Sequence, residues 1–131
     1  MKIGILKETQ EGEKRVCISP KIAKQLTNQG FEILVEQDAG LNSSYKNTDY
    51  IDAKASIQSR DVVFNDAQVL IKINPFDQGD LKYVKKRHIL MSQLYHKSSP
   101  ELIKAIADKG ATAFSMDAMP RISRAQDMDV L

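Results

Sequence analysis

Two basic side chains, Arg15 and Lys72, have the chemistry to bind a small anion together. Arg15 follows the first apolar segment of the chain, and Lys72 interrupts the very apolar run VLIKIN. Arginine offers a planar fork to a carboxylate and lysine a point charge, and a lysine in a segment that should be buried is costly unless it is paired or serves a ligand. Two simpler interpretations stay open: an edge strand from which Lys72 reaches water, or an ion pair with Glu8 or Glu13.

A second concentration of polar groups lies near the C-terminal end. Within nine residues it contains Arg121, Arg124, Gln126, Asp127 and Asp129. The spacing Ser123-x-x-Gln126 has the form of a capping box, in which the serine accepts from free backbone amides and the glutamine reaches back. On these residues alone, the favoured interpretation is a capped helix start with a solvated face.

Several other kinds of site find little support. Neither G-x-G-x-x-G nor the P-loop pattern occurs, so the usual dinucleotide cradle is absent from this chain. His88 and His96 are eight residues apart and Cys17 is distant from both, so we expect no metal site. We interpret His88 as a strand-edge residue and His96 as a loop residue. The basic run KYVKKRH (82–88) is interpreted as a solvated face, because a net charge of +2 gives no field that favours nucleic acid.

The elements that must position these groups alternate between strand and helix. Apolar runs predict strands at 2–7, 31–36, 68–74, 88–94 and from Ala111, with ASIQ as a further edge strand. Helical candidates lie at about 48–54, with a weak turn near 78–84. Continuous apolar runs are typical of strands buried on both faces, and strands that alternate with helices imply crossovers. The prediction is an α/β fold: a three-layer sandwich with a mostly parallel, Rossmann-like sheet that lacks a Gly-rich loop.

Two segments share one helix–glycine–strand pattern. Each begins with Ser-Pro, the preferred N-cap and first helical residue, and runs ten residues to Gly30 or Gly110. A glycine adopts the left-handed conformation of a helix end at little cost. We attribute the match to shared local rules rather than to duplication.

The bulk composition is that of a cytoplasmic globular protein. The chain has 131 residues, of which 42% are hydrophobic and 27% charged, so one domain with a real core is expected. A single cysteine excludes an internal disulfide framework and fits a reducing compartment. No apolar run approaches the roughly 20 residues that span a bilayer.

Several segments resemble a known family. MPRISRAQDMDVL is similar to a segment of the alpha subunit of proton-translocating NAD(P) transhydrogenase, in which it leads from the first half of the NAD(H)-binding component toward the Rossmann half. The opening MKIGILKETQEGEKRVCISPKIAKQL resembles the start that this family shares with alanine dehydrogenase, as do VLIKINPF and SPELIKAIADKGATAFSMDAMPR. The segment PRISRAQ favours transhydrogenase.

The resemblance implies a component that binds NAD(H) and passes hydride to NADP(H) on a partner domain, coupled to proton movement through a membrane domain. In such proteins a loop gathers an Arg, a Gln and an Asp around the nicotinamide, and the matching positions here are Arg121, Gln126 and Asp129. Gln126 would hydrogen-bond the carboxamide or ribose, Asp129 would hold Gln126 and Arg121 in place, and Arg121 would add a cationic donor. Hydride transfer requires positioned rings more than proton carriers, so these residues would orient the cofactor.

The alternative within the family is the N-terminal substrate domain of an alanine dehydrogenase-like enzyme. There, Arg15 and Lys72 match the positions that hold the substrate carboxylate and carbonyl, and His96 lies in the loop of the catalytic histidine, one residue out of register. A further alternative is a truncated, non-catalytic domain that self-associates through exposed apolar surface.

The resemblance also implies an organisation. Residues 1–120 would form the N-terminal α/β domain, and 121–131 would start a helix that leads to a missing dinucleotide-binding domain. We expect a fragment, a truncated gene product or one piece of a split subunit, inactive by itself. The implied partners are the remaining Rossmann half, the membrane and NADP(H)-binding components and a second copy in a homodimer, with peripheral attachment at the inner membrane.

Overall fold

The computed structural model describes residues 1–93 and 100–116 and is built on one six-stranded sheet. The strands are β1 (Lys2–Ile5), β2 (Glu32–Glu36), β3 (Ser56–Gln58), β4 (Val69–Ile71), β5 (Ile89–Ser92) and β6 (Thr112–Ser115). The helices are α1 (Pro20–Asn28), α2 (Asn47–Asp52), α3 (Arg60–Asp66), α4 (Gln78–Leu81) and α5 (Pro100–Asp108), with a 3-10 turn at Leu41–Ser43. Every described strand pair is parallel, in the order β3-β2-β1-β4-β5-β6. The predicted α/β class is confirmed.

Each face of the sheet has its own hydrophobic core. On one face, α1 and α2 bury Ala23 and Tyr50 against Ile5 and Val35. On the other face, α3, α4 and α5 pack over alternate residues of the same strands, such as Leu70 and Leu90. Because successive side chains of a strand point to opposite faces, the continuous apolar runs supply both cores.

Both helix–glycine–strand units form as predicted. The Ser19 hydroxyl caps α1 by accepting from the Ile22 amide at 3.3 Å. Gly30 and Gly110 follow α1 and α5 with φ of +99° and +75°, the left-handed region that favours glycine. Local capping rules therefore placed these two helix ends correctly.

Helix α3 is absent from the predicted elements. It is only seven residues long, and its run VVF reads as well for a strand as for a helix. Its packing depends on Gly4, where a Cβ atom would lie 2.7 Å from Val63 Cγ1. The lack of a side chain at Gly4 lets α3 approach β1 closely, a tertiary requirement that the local sequence does not display.

The expectation that His88 lies at a strand edge is wrong. The residue precedes β5, which pairs with strands on both sides, and its side chain is buried with 1% exposure. Nδ1 accepts from the Lys85 amide at 2.9 Å, and Nε2 lies 2.7 Å from the Phe64 carbonyl oxygen. These partners assign a neutral ring with its proton on Nε2. Burial and the nearby charge of Arg87 lower the pKa of His88 despite the Phe64 carbonyl.

This environment predicts that stability falls with acidification below about pH 6.5, the ordinary histidine pKa. Because the folded pKa is lowered, the unfolded chain binds the proton more readily, and the contribution of His88 is complete above that pH and lost as pH falls toward the folded pKa. Denaturant unfolding at pH 7.5 and 5.5 measures the effect. His88→Gln removes the titration, so it should show a smaller difference between the two pH values. An unchanged difference would contradict the assignment.

Candidate functional site

The sheet has a topological switch point between β1 and β4. From β1 the chain goes to β2 on one side, whereas β4, which pairs with the other side of β1, continues to β5. The loops that leave the carboxyl ends of these neighbouring strands diverge and open a crevice, the usual ligand position in open α/β sheets. These loops contain Arg15 and Lys72, so the topology brings both predicted residues to this end of the sheet.

Glu8 joins the two loops of the crevice. Its side chain is buried, and its carboxylate accepts from the Ile73 amide at 2.7 Å and from the Asn74 amide at 3.0 Å. Asn74 Nδ2 also donates to it at 3.3 Å. These bonds turn the chain away after Ile71, which explains why β4 ends there although the apolar run continues to residue 74.

Glu13 holds the Arg15 guanidinium in a bidentate ion pair. Arg15 Nε donates to one Glu13 oxygen at 3.0 Å and Nη2 to the other at 2.9 Å. Asn74 Nδ2 donates to the same carboxylate at 2.9 Å. The hydrogen bond from Arg15 lowers the pKa of Glu13 to about 2, and the Glu13 partner raises the pKa of Arg15. Arg15 is therefore already paired with a carboxylate of its own loop.

Part of the Arg15 fork stays accessible. The Arg15 side chain is 43% exposed, whereas that of Glu13 is 10% exposed. Glu13 uses the Nε–Nη2 edge, and among the described residues Nη1 has no hydrogen-bond partner. An outward guanidinium edge held rigid by a carboxylate behind it can accept a second anionic group.

Lys72 lies in a different environment from the one that either simple interpretation assigned to it. It follows a central strand rather than an edge strand, and it is 2% exposed, so it does not reach water. Its Nζ lies 3.8 Å from Asp80 Oδ2 and 5.7 Å from the centre of the Phe76 ring. Within the described ranges no hydrogen bond or ion pair links Lys72 to Arg15. That the two cations share one anion remains a prediction.

A buried charge network surrounds Asp80 and was not predicted from the sequence. Arg60, at the start of α3, donates to Asp80 Oδ1 through Nε at 3.2 Å and Nη2 at 2.6 Å, and to Glu36 through Nη1 at 2.6 Å. Its Nη1 also donates to the Lys7 carbonyl oxygen at 3.2 Å. Burial alone would lower the pKa of Arg60, but hydrogen bonds and the charges of Asp80 and Glu36 outweigh it and raise the pKa. Arg60 thus ties the ends of β1 and β2 to α4.

Asn74 contacts both crevice carboxylates and was likewise not predicted. The available signal was the dipeptide Asn74-Pro75 directly after an apolar strand, a pattern typical of turns at strand ends. Asn74 shares the Glu13 carboxylate with Arg15, a position that the ion-pair interpretation had left open for Lys72.

The crevice does not fit the pyrophosphate of a dinucleotide. A pyrophosphate needs backbone amides at a glycine-rich turn into a helix, whereas here the loop after β1 brings two carboxylates, Glu8 and Glu13, to the crevice. The amides of Ile73 and Asn74 that point into it are already bound by Glu8. A small carboxylate at the outer edge of Arg15 is the ligand that this chemistry accommodates.

Four predicted site residues lie outside the described residues: His96, Arg121, Gln126 and Asp129. Their assignments remain predictions, as does the predicted helix start at 121–131. Over the described ranges, no group of three or more metal-ligating side chains could hold a metal ion. The same portion of the chain contains no helix long and apolar enough to cross a membrane.

Comparison with known proteins connects this fold with two kinds of enzyme. Along the whole chain, the sequence is 34% identical to the NAD(P) transhydrogenase subunit alpha of Haemophilus influenzae and 37% identical to the first portion of the NAD(P) transhydrogenase subunit alpha of Rhodospirillum rubrum. It covers 25% and 36% of these relatives, respectively. It is 35% identical to the alanine dehydrogenase of Staphylococcus haemolyticus over 91% of this chain and 32% of that one.

Solved structures give the same two groups. The transhydrogenase of Sinorhizobium meliloti superimposes with a TM-score of 0.89 at 31% identity, over 98% of this chain and 39% of that chain. An L-alanine dehydrogenase superimposes with a TM-score of 0.84 at 25% identity, over 88% of this chain and 32% of that chain. The family model for the alanine dehydrogenase/PNT N-terminal domain matches residues 4–131. The chain therefore belongs to the alanine dehydrogenase/PNT N-terminal domain family.

Proposed function

We propose that this chain is the first portion of the NAD(H)-binding component of a proton-translocating NAD(P) transhydrogenase. The observation that carries the proposal is its similarity to transhydrogenase alpha subunits along its whole length, together with the TM-score of 0.89 to a transhydrogenase structure. The segment PRISRAQ, which resembles transhydrogenase, supports the same choice.

In this proposal the chain orients the nicotinamide and does not hold the pyrophosphate. NAD(H) would be bound by the Rossmann half of the component and would supply the hydride, which passes to NADP(H) on a partner. Gln126 and Asp129, with Arg121, would fix the angle of the ring. The described α/β domain would serve as the rigid support of that loop, stabilised where Arg60 and Glu8 connect its strand ends.

The assembly expected around the chain follows from the same proposal. The chain spans only 25% and 36% of the two transhydrogenase relatives, so most of their length lies outside the match. We propose the Rossmann half and the membrane and NADP(H)-binding components as partners, in a homodimeric NAD(H) component attached peripherally to the inner membrane from the cytoplasm. By itself, the chain is proposed to be inactive.

A hybrid subunit tests the function. This chain replaces the matching segment of the Rhodospirillum rubrum alpha-subunit relative, and reduction of an NADP analogue by NADH is measured with the NADP(H)-binding component of the same organism. We expect hydride transfer in this hybrid. The matched control carries the Staphylococcus haemolyticus alanine dehydrogenase segment, for which we expect none. A hybrid that folds and binds NADH but transfers no hydride would contradict the proposal.

A second candidate, an alanine dehydrogenase-like enzyme, is favoured by one specific observation. The accessible edge of Arg15 at the switch point suits a substrate carboxylate, and Glu13 already holds that arginine in one orientation. Addition of pyruvate to an NADH-bound hybrid with the alanine dehydrogenase Rossmann half would then shift NMR signals of Arg15, Lys72 or His96. Absence of any pyruvate-dependent shift would remove this candidate.

A further inference from the structure

The direction of the chain leaves half of one sheet face without a helix. Crossovers between parallel strands are right-handed, so the face on which a connecting helix lies depends on the direction of the step. The steps from β1 to β2 and from β2 to β3 place α1 and α2 on one face, and the opposite steps from β3 through β6 place α3, α4 and α5 on the other. No described crossover helix therefore lies on the α1 side over β4, β5 and β6.

Side-chain exposure follows this topology. In register across the sheet, Val35, Ile5, Ile71, Met91 and Phe114 form one row on the α1 side. Val35 and Ile5 are fully buried, Ile71 and Met91 are half-buried, and Phe114 is 55% exposed.

A neighbouring row shows the same trend. Ile3 and Val69 are buried, Ile89 is half-buried and Thr112 is exposed. We call Ile71, Ile89, Met91, Thr112 and Phe114 the open face. A contiguous apolar surface on a sheet whose opposite side is packed with helices marks an interaction site.

We propose that the open face binds an amphipathic α-helix supplied by the region of the family's polypeptide that lies beyond the segment matched by this chain. All-parallel sheets are covered by helices on both faces, and among the described strands only the β4–β6 half of one face lacks this layer. Most of the length of the transhydrogenase relatives lies outside the match, so the rest of the polypeptide is long enough to provide the helix.

The shape of the recess favours a helix over a second copy of the chain. Helix α1 stands on the same side of the sheet, with Ala23 buried against it, so the open face lies about one helix layer, roughly 10 Å, below the neighbouring surface. A helix beside α1 would fill that depth. Two open faces brought together would be held apart by their two α1 helices.

The chemistry of the expected helix follows from the face. Its inner side should carry Leu, Ile, Phe or Met at positions i, i+3, i+4 and i+7, which match a flat row of aliphatic and aromatic side chains, and its outer side should be polar. The inference rests on the proposed function in one respect only, because both treat the chain as one segment of a larger NAD(H)-binding component.

Peptide binding to the 131-residue chain tests the proposal. Overlapping peptides, each about seven helical turns long (~25 residues), are taken from the unmatched region of the Rhodospirillum rubrum alpha-subunit relative and added singly, and amide hydrogen exchange of the chain is measured. We expect a peptide with the predicted apolar spacing to slow exchange in β5 and β6 about tenfold or more. Phe114→Asp should weaken its binding about tenfold, since a charge would then be buried against the helix.

A matched control and two contradicting outcomes define the test. Leu41→Asp changes a side chain of similar exposure, 54%, in the 3-10 turn outside the open face, and should leave peptide binding unchanged. If no peptide binds, the proposal is wrong. If sedimentation shows a dimer that Phe114→Asp dissociates, the occupant is a second copy and the proposal is also wrong. Neither outcome affects the hydride-transfer test, so the two proposals fail independently.

Discussion

Replacement of Arg60 by Met is expected to lower the free energy of unfolding by about 3–5 kcal/mol, the usual cost of removing one partner from a buried ion pair. The loss arises because the Asp80 and Glu36 side chains, 3% and 13% exposed, would keep their charges without the donors that compensate them. The Lys7 carbonyl would lose a hydrogen bond as well. Urea unfolding at pH 7 followed by circular dichroism measures the difference.

The matched control is Arg15→Met, which removes another bidentate arginine–glutamate pair at a more exposed position. Exposed ion pairs contribute about 0–1 kcal/mol, so this variant should remain close to wild type. The double variant Arg60→Met/Asp80→Leu should cost less than the sum of the single variants, because the second change removes the uncompensated charge. Similar losses for Arg60→Met and Arg15→Met would contradict a special role of the buried network.

The fold class could be predicted because its signals are local. Ser19-Pro20 and Gly30 fix the ends of α1 within a few residues, and the apolar runs on either side are too short for helices. The same reasoning found α5, Gly110 and β6. Where a boundary depends on one residue type with one conformational role, the sequence alone is sufficient.

The candidate site was less predictable because its contacts join distant regions of the chain. The apolar setting of Lys72 indicated that its charge needed a partner, but the partner is Asp80, on α4, rather than Glu8 or Glu13. Asp80 is held in turn by Arg60, on a helix that was not predicted from the sequence. Because α3 was missed, so was the arginine that completes the network around the buried lysine.

Glu8 and Glu13 have different roles although they are the same residue type. Both were considered as ion-pair partners, yet Glu8 binds backbone amides of the β4 loop, whereas Glu13 binds the Arg15 fork. Glu8 thus maintains the crevice, and Glu13 sets the orientation of a cation at its edge. Residue type alone could not distinguish a carboxylate that shapes a site from one that orients a ligand-binding group.

Gln126→Asn in the hybrid subunit is expected to slow hydride transfer about 100-fold while NADH binding stays nearly unchanged. The substitution keeps the amide but withdraws it by one methylene, about 1.5 Å. Because hydride transfer depends on the relative position of two rings, a displacement of about 1 Å is sufficient to cost roughly 10²-fold in rate. Single-turnover reduction of the NADP analogue measures the rate, and NADH fluorescence measures the affinity.

A neighbouring polar residue supplies the control for this prediction. Asp127→Asn changes a side chain to which the resemblance assigns no role, and it should transfer hydride at the rate of the parent hybrid. If Gln126→Asn weakened NADH binding and the rate in equal proportion, Gln126 would hold the cofactor uniformly in ground and transition states instead of orienting it. If Gln126→Asn remained fully active, the assignment of the nicotinamide-orienting loop to Arg121, Gln126 and Asp129 would be wrong. A specific loss of rate, with affinity retained, is the result that only an orienting role explains.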